Sequence, residues 1–285
     1  MLKDGVSNNP KVAVVLGQGG LRPFAALPLF TFLEENNIPV DLLVGCSGGS
    51  IVSAFIAAGY KPDFIEKNVI PRITKSFFKL NWKTVLSIIG IPVSSLGKHG
   101  ALINPKTIVK LGKEYLKGKN IEDLNIKTVF QVTDFDTGEG VGLESGDLIQ
   151  SMLASSANFP ILPPVQIGER WFFDGAFTSP VPIMQAVKKG ANVIIAVDFQ
   201  DDLQSDKTGV FNSIMHICNV FQKTIGCQEM TLSIDLHPYE IIYMKVKYDI
   251  PVDIFDFKSF PTILGAGEKA LDAIKDELLY LCNKT

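Results

Sequence analysis

The sequence predicts an α/β fold, a mainly parallel sheet covered by helices on both faces. Three observations carry this expectation. Short apolar, Val-rich runs at Lys11–Leu16 and Val40–Val44 alternate with longer helical patterns at Phe24–Glu35 and Gly48–Ala58; that order is the signature of parallel strands joined by helices. Glycine-rich turns at Gly17–Gly20 and Gly45–Gly49 each stand between a strand and a helix. The chain has 285 residues, 46% of them hydrophobic, which is ample for one large domain with a full core.

Taken in order, Lys11–Leu16 reads as a buried strand. Phe24–Glu35 reads as a helix despite Pro28, which fits a first turn or a kink, and Asn36-Asn37 ends it. Val40–Val44 is the second strand, and the helix Gly48–Ala58 is closed by Gly59. Further strands are expected at Lys127–Thr133, Val141–Glu144, Val193–Asp198 and Ile241–Lys245. Helices are expected at Asp147–Ser156, Pro182–Lys189, Val210–Cys227 and Gly265–Cys282. The whole chain, 1–285, reads as one domain with its motifs within about 11–200. The less regular stretch 61–120 is expected to be an insertion or lid over one sheet edge, and 201–285 a C-terminal helical and edge-strand part.

Composition excludes several classes. A formal net charge of -3 argues against a nucleic-acid surface, and there is no polybasic block for anionic lipid. Met1–Pro10 is polar and lacks the apolar segment of a secretory signal. No apolar run approaches the ~18 residues that cross a bilayer. A cytoplasmic protein with at most peripheral membrane contact is expected. Cys46, Cys218, Cys227 and Cys282 show no pairing pattern and read as reduced thiols. His99, His216 and His237 are scattered, so no zinc site is expected.

Chemistry concentrates in three places. Gly45-Cys46-Ser47-Gly48-Gly49 has the form of a nucleophile elbow, which holds a serine in a strained conformation at the tip of a strand-to-helix turn. The ordinary alternative is a glycine-rich turn with Ser47 as a helix N-cap. Gly17-Gln18-Gly19-Gly20-Leu21-Arg22 can aim backbone N–H groups at an anion. That anion is either a nucleotide phosphate or the oxyanion of an ester's tetrahedral intermediate. The spacing fits neither nucleotide-loop pattern, and the oxyanion reading accounts for both glycine-rich turns. Asp174-Gly175-Ala176 follows Trp171-Phe172-Phe173. Its carboxylate can serve as a base for the serine; spacing alone leaves a plain Asp-Gly turn equally open.

With these residues in view, the chain resembles the patatin-like phospholipases over nearly its whole length. Gly19-Gly20-Leu21-Arg22 is similar to the family's oxyanion loop, and Gly45–Gly49 followed by Ala57-Ala58-Gly59-Tyr60 to its elbow and helix. Thr133–Gly138, Ala154–Ala157 with Phe159-Pro160 and Pro163-Pro164, and Asp174-Gly175-Ala176 with Pro180-Val181-Pro182 resemble three further segments. The resemblance implies a three-layer α/β/α fold and a Ser47–Asp174 dyad. It implies oxyanion donors at Gly19, Gly20 and Leu21, and acyl hydrolysis of a phospholipid or lysophospholipid without metal or organic cofactor. Asp134 and Asp136 are then turn-forming residues. Gln18 and Pro23 depart from the family's loop, and Pro23 offers no N–H, so the loop is expected to be reshaped or one donor short. Gly48 and Ser50 stand where the elbow usually carries alanines. Cys46 is discounted as nucleophile because the elbow exposes its third residue.

Arg22, Phe78 and Trp82 are candidate substrate or membrane contacts. If residues 76–90 are helical, Phe78, Trp82, Val85 and Ile89 share a face flanked by Lys75, Lys79 and Lys83; such a face either packs on the core or lies in a lipid surface. Ile88–Val93 is a candidate rim of an acyl pocket. The helix carrying Phe211, Ile214, Ile217, Cys218, Phe221 and Ile225 is expected to face the core. The rivals to acyl hydrolysis are a triad esterase using His216 or His237, an acyltransferase, and a lipid- or nucleotide-binding protein without turnover. Protein partners are not specified by the sequence.

Overall fold

A computed structural model of the chain describes residues 11–73, 101–199, 209–250, 252 and 258–283, apart from the side chains at 107, 210, 211, 282 and 283. Phe78, Trp82, the 76–90 face, the 88–93 rim and His99 lie outside the described residues.

Among the described residues, eight strands form one mixed sheet. They are β1 (Val12–Leu16), β2 (Leu42–Cys46), β3 (Lys127–Asp134), β4 (Gly140–Leu143), β5 (Val165–Ile167), β6 (Arg170–Asp174), β7 (Val193–Asp198) and β8 (Ile241–Lys245). The order is β5-β6-β3-β2-β1-β7-β8, with β4 also paired to β3. The pairs β8-β7, β7-β1, β1-β2 and β2-β3 are parallel, and β4, β5 and β6 add antiparallel pairing at one side.

β-Branched residues dominate β1 and β7, and every residue of both strands is buried. Their side chains alternate between two cores, as the two-residue strand period demands. Val12, Val14, Leu16, Ile195 and Val197 join one cluster, and Ala13, Val15, Ile194 and Ala196 the other. The first cluster is covered by α1 (Leu27–Glu35), α2 (Gly48–Ala57), α4 (Leu148–Ser155) and α7 (Phe260–Asp272), with α3 (Lys106–Leu116) packed at its margin. The second is covered by α5 (Ile183–Lys188), with α6 (Val210–Leu236) beyond it; α8 (Lys275–Asn283) ends the described chain. Two buried faces make the three layers that the sequence predicts.

Several expectations are corrected. The first predicted helix begins as a 3-10 turn, Arg22–Ala26, with Pro23 at its start, before α1 proper. Within 61–120, α3 is a regular helix. α6 runs on past Cys227 to Leu236. The predicted last helix begins earlier and is broken into α7 and α8 at Ala273-Ile274. α6 also presents Ile214, Ile217 and Phe221 to the exterior, 50–62% exposed, instead of to the core. α5 and the Pro180 loop already cover the sheet there, so only one side of α6 finds protein to pack on.

Candidate active site

The register of β3 brings the site together. β2 pairs with β3 up to Cys46 opposite Gln131, and β4 pairs with residues 130–133 of β3. The two overlap, so they occupy opposite edges of β3. β6 overlaps β4, pairing Val132 with Asp174 through Asp134 with Phe172. It therefore takes the same edge as β2, beyond the point where β2 ends. The two strands meet head to head, Cys46 opposite Gln131 and Asp174 opposite the next residue. The residue after Cys46 is Ser47.

Ser47 has φ 53 and ψ -125, a left-handed backbone that non-glycine residues rarely adopt. Its hydroxyl does not cap α2. The N-cap reading therefore fails: Ser47 Oγ donates to Asp174 Oδ2 at 2.7 Å. Asp174 is fully buried, and its other oxygen accepts the Ala176 N–H at 2.9 Å. Burial pushes the Asp174 carboxyl up to about 7, opposed by the Ala176 and Ser47 donors. Thr133 Oγ1 donates to the Asp174 carbonyl at 2.9 Å and holds its backbone. Gly175 is needed here, because a Cβ would lie 2.2 Å from the Gln131 carbonyl oxygen.

A serine cluster that received no role in the sequence reading steadies the elbow. The fully buried Ser155 hydroxyl accepts the Ser47 N–H at 3.1 Å and donates to the Gln131 carbonyl at 2.7 Å. Ser50 and Ser156 hydroxyls both donate to the Ser47 carbonyl, at 2.6 and 3.0 Å. The only sequence signal was the Ala154–Ala157 segment itself. Ser155→Ala strands a buried N–H in the strained turn. It is expected to cost about 1–3 kcal/mol of stability, seen as a lower Tm, and to reduce kcat more than it changes KM.

The two glycine-rich turns touch. A Cβ on Gly48 would lie 2.0 Å from the Gly20 carbonyl oxygen, and one on Gly49 would lie 2.3 Å from that of Leu16. Gly17 and Gln18 amides are tied to Val197 and Pro180 carbonyls. Among the described residues, no acceptor is assigned to the amides of Gly19, Gly20 or Leu21. Gly20, at φ 61, uses the freedom only glycine has. Pro23 sits at the start of the 3-10 turn, where an N–H would lack a helical partner anyway.

Gln18, Gly20, Leu21 and Ser47 line a cavity whose remaining walls include Phe24, Ile51, Phe55, Ile73, Ile108 and Leu111. The walls are thus largely apolar. Arg22 is not among them: its guanidinium donates to the Val252 carbonyl and lies over the Tyr248 ring. Cys46 is buried, and that burial, together with the nearby Asp174 and Glu229, pushes its thiol well up, so it stays protonated. His237 faces the Asn192 carbonyl just before β7, at the end of the strand away from Ser47. Asp134 Oδ1 accepts from the Asp136 and Thr137 amides, while Oδ2 pairs with Arg170; it is the turn residue expected. No helix among the described residues is long and apolar enough to cross a membrane.

Known proteins resemble this chain in sequence and in fold. The sequence profile of one family, Patatin-like phospholipase, matches residues 14–187. The chain is 28% identical over 202 residues to Lysophospholipase NTE1 of Debaryomyces hansenii, covering 68% of this chain and 12% of that one. It is 27% identical over 191 residues to an uncharacterized NTE family protein of Mycobacterium tuberculosis, covering 67% of this chain and 49% of that one. It therefore spans only a small part of the first relative and about half of the second. Among solved structures, VipD from Legionella pneumophila superposes with a TM-score of 0.50 at 14% identity, covering 94% of this chain and 68% of that one. That likeness concerns the fold.

Proposed function

We propose that this chain, which belongs to the patatin-like phospholipase family, is a lipid acyl hydrolase working through a Ser47–Asp174 dyad and an acyl-serine intermediate. One observation carries the reading: the 2.7 Å hydrogen bond to a buried carboxylate from the hydroxyl of Ser47, which lines a largely apolar cavity. Asp174 takes the Ser47 proton as Oγ attacks the acyl carbonyl. The amides of Gly19 and Gly20, with Leu21, stabilise the oxyanion. The proton passes to the departing alcohol, and an acyl-serine remains. Asp174 then removes a proton from water, which attacks the acyl carbon; the Oγ–acyl bond breaks as Asp174 passes that proton to Ser47 Oγ, and the fatty acid leaves. Asp174 accepts directly from Ser47 Oγ, with no imidazole between the two, which disfavours a triad. The apolar walls suit a fatty-acyl chain, so the substrate is a phospholipid or lysophospholipid.

The test is hydrolysis of lysophosphatidylcholine and of p-nitrophenyl butyrate, together with labelling by an alkyl fluorophosphonate. Wild type is expected to turn over both esters and to carry the label on Ser47. Ser47→Ala is expected to lose both properties while keeping its circular dichroism spectrum. Turnover surviving in Ser47→Ala, or a label on another residue, would overturn the assignment.

A further inference from the structure

The segment that follows Asp174 is poorly equipped to anchor itself. Ser179-Pro180-Val181-Pro182 leads from the 3-10 turn Gly175–Phe177 to α5, and its two prolines have no N–H to donate. Pro182, the N-cap of α5, supplies no capping side chain either. Yet this segment touches both halves of the site. On one side the Ser179 N–H donates to the carbonyl of Gly175, the residue after Asp174, at 2.9 Å. On the other the Pro180 carbonyl accepts the Gln18 N–H at 2.8 Å. Gly17 is pressed against the same place: a Cβ there would lie 2.9 Å from Val181 Cγ2 and 3.2 Å from the Pro180 carbonyl oxygen. Gln18 lines the Ser47 cavity and leads directly into Gly19 and Gly20.

A side chain from α6 grips both ends of the segment. Glu229 Oε2 accepts from the hydroxyl of the buried Ser179 at 2.5 Å, and Oε1 from the Met184 N–H, in the first turn of α5, at 3.4 Å. Burial pushes the Glu229 carboxyl up to about 7, so an ionised acid here costs stability. The Cys46 thiol is raised first by its own burial, then by Asp174 and then by Glu229, which puts that carboxyl close behind the residue preceding Ser47. The dyad chemistry leaves Glu229 without a task.

We propose that Glu229 is a positioning residue: through Ser179 and Met184 it clamps the Pro180 segment, and so fixes the spacing between Asp174 and the oxyanion loop that begins at Gln18. The path is continuous. It runs from Glu229 to Ser179, across one peptide to Pro180, through its carbonyl to Gln18, and on to Gly19. A segment released at Ser179 would let the Gly19 and Gly20 amides drift, and oxyanion stabilisation depends on donors held in place. This role rests on the proposed hydrolysis at Ser47, whereas the clamp on Gln18 is read without turnover.

Kinetics with p-nitrophenyl butyrate and hydrogen exchange at the Gln18 amide are measured on the full chain. Glu229→Ala is expected to lower kcat about tenfold, part of the ~10²–10³ that a lost oxyanion donor costs, with KM within about twofold of wild type. The Gln18 amide is expected to exchange several-fold faster, because the bond that protects it opens more often. Glu229→Gln is expected to restore both properties: its oxygen can accept the Met184 N–H while its NH₂ donates to Ser179 Oγ. Ser179→Ala combined with Glu229→Ala is expected to be no slower than Glu229→Ala alone, as for two members of one unit. Met230→Ala, at the next position of α6, removes packing on the second core; it is expected to lower Tm but to leave kcat within about twofold. With an active wild type, unchanged kcat or unchanged Gln18 exchange in Glu229→Ala, no rescue by Glu229→Gln, or an equal loss of kcat in Met230→Ala overturns this proposal and leaves the hydrolase reading standing. A folded wild type that hydrolyses no ester removes that reading, and this role with it.

Discussion

Asp174→Asn is expected to lower kcat by ~10²–10⁴, the usual contribution of a positioned base, and at the same time to raise the melting temperature above neutral pH. The two effects share one cause. Asn is isosteric: its oxygen can keep the Ala176 N–H, and its NH₂ can donate to Ser47 Oγ, so the geometry survives while the base is lost. The native carboxylate is uncomfortable where it stands. Burial raises it from 3.8 to about 7. Between those values the folded state holds a proton that the unfolded chain has released. Stability therefore falls as pH rises through this window, by up to about 4 kcal/mol for this one group. Burial also raises Glu229 from 4.5 to about 7, opposed by Ser179, Met184 and Lys188, which adds a decline of the same sign. Thermal scans of wild type and Asp174→Asn should thus converge near pH 4 and separate by several degrees at pH 8. The wild-type kcat/KM should climb through about pH 7 as the free base forms and then level off. A flat profile, or an Asn variant no more stable at pH 8 than wild type, would mean that Asp174 is not a strained base.

Gly48→Ala is expected to be the most damaging single methyl in the chain's functional region. The new Cβ would stand 2.0 Å from the Gly20 carbonyl oxygen and 3.1 Å from the Gly20 nitrogen. A methyl has no rotamer by which to escape, and the obstacle is backbone. The loop carrying Gly19, Gly20 and Leu21 must move away from Ser47. Misplacing an oxyanion donor costs ~10²–10³ in rate, and overpacking a close backbone contact adds about 1–3 kcal/mol of destabilisation. Both are read from kcat and Tm of the purified variant; near-wild-type values for both would show that the loop does not lean on the elbow. The resemblance that places alanine at this position of the family's elbow then acquires a physical counterpart. In this chain the Gly20 carbonyl stands in the methyl's space, and Gly48 leaves that space vacant.

What the sequence made legible followed from local chemistry. β1, β2 and β7 were visible because both faces are buried and their apolar runs are nearly uninterrupted. Ser47 stood out by its glycine-rich elbow, whereas Asp174-Gly175 by itself read equally as a plain turn and stood out only through the family resemblance. The meeting of β2 and β6 on one edge of β3 was invisible, since ladder register depends on partners far away in sequence. The same holds for Ser155, whose value lies in reaching both the Ser47 N–H and the Gln131 carbonyl. The outward face of α6 was misjudged for a related reason: periodicity shows that a helix has an apolar stripe, but not whether anything packs against it. β5, three residues long, is too short to leave a pattern.

The head-to-head meeting of β2 and β6 also governs how the protein would lose competence. Ser47 belongs to a sheet interior paired on both sides, β1 and β3. Asp174 belongs to a strand that shares only three residue pairs with β3 and is otherwise joined to the short strand β5. Proteins open in cooperative units of unequal stability, and such a peripheral hairpin belongs at the lower end of that scale. Its opening would carry the carboxylate away from the serine while β1, β2, β7 and their helices stayed folded. The working fraction of molecules is then set by the opening equilibrium of one hairpin, and global unfolding measures something else.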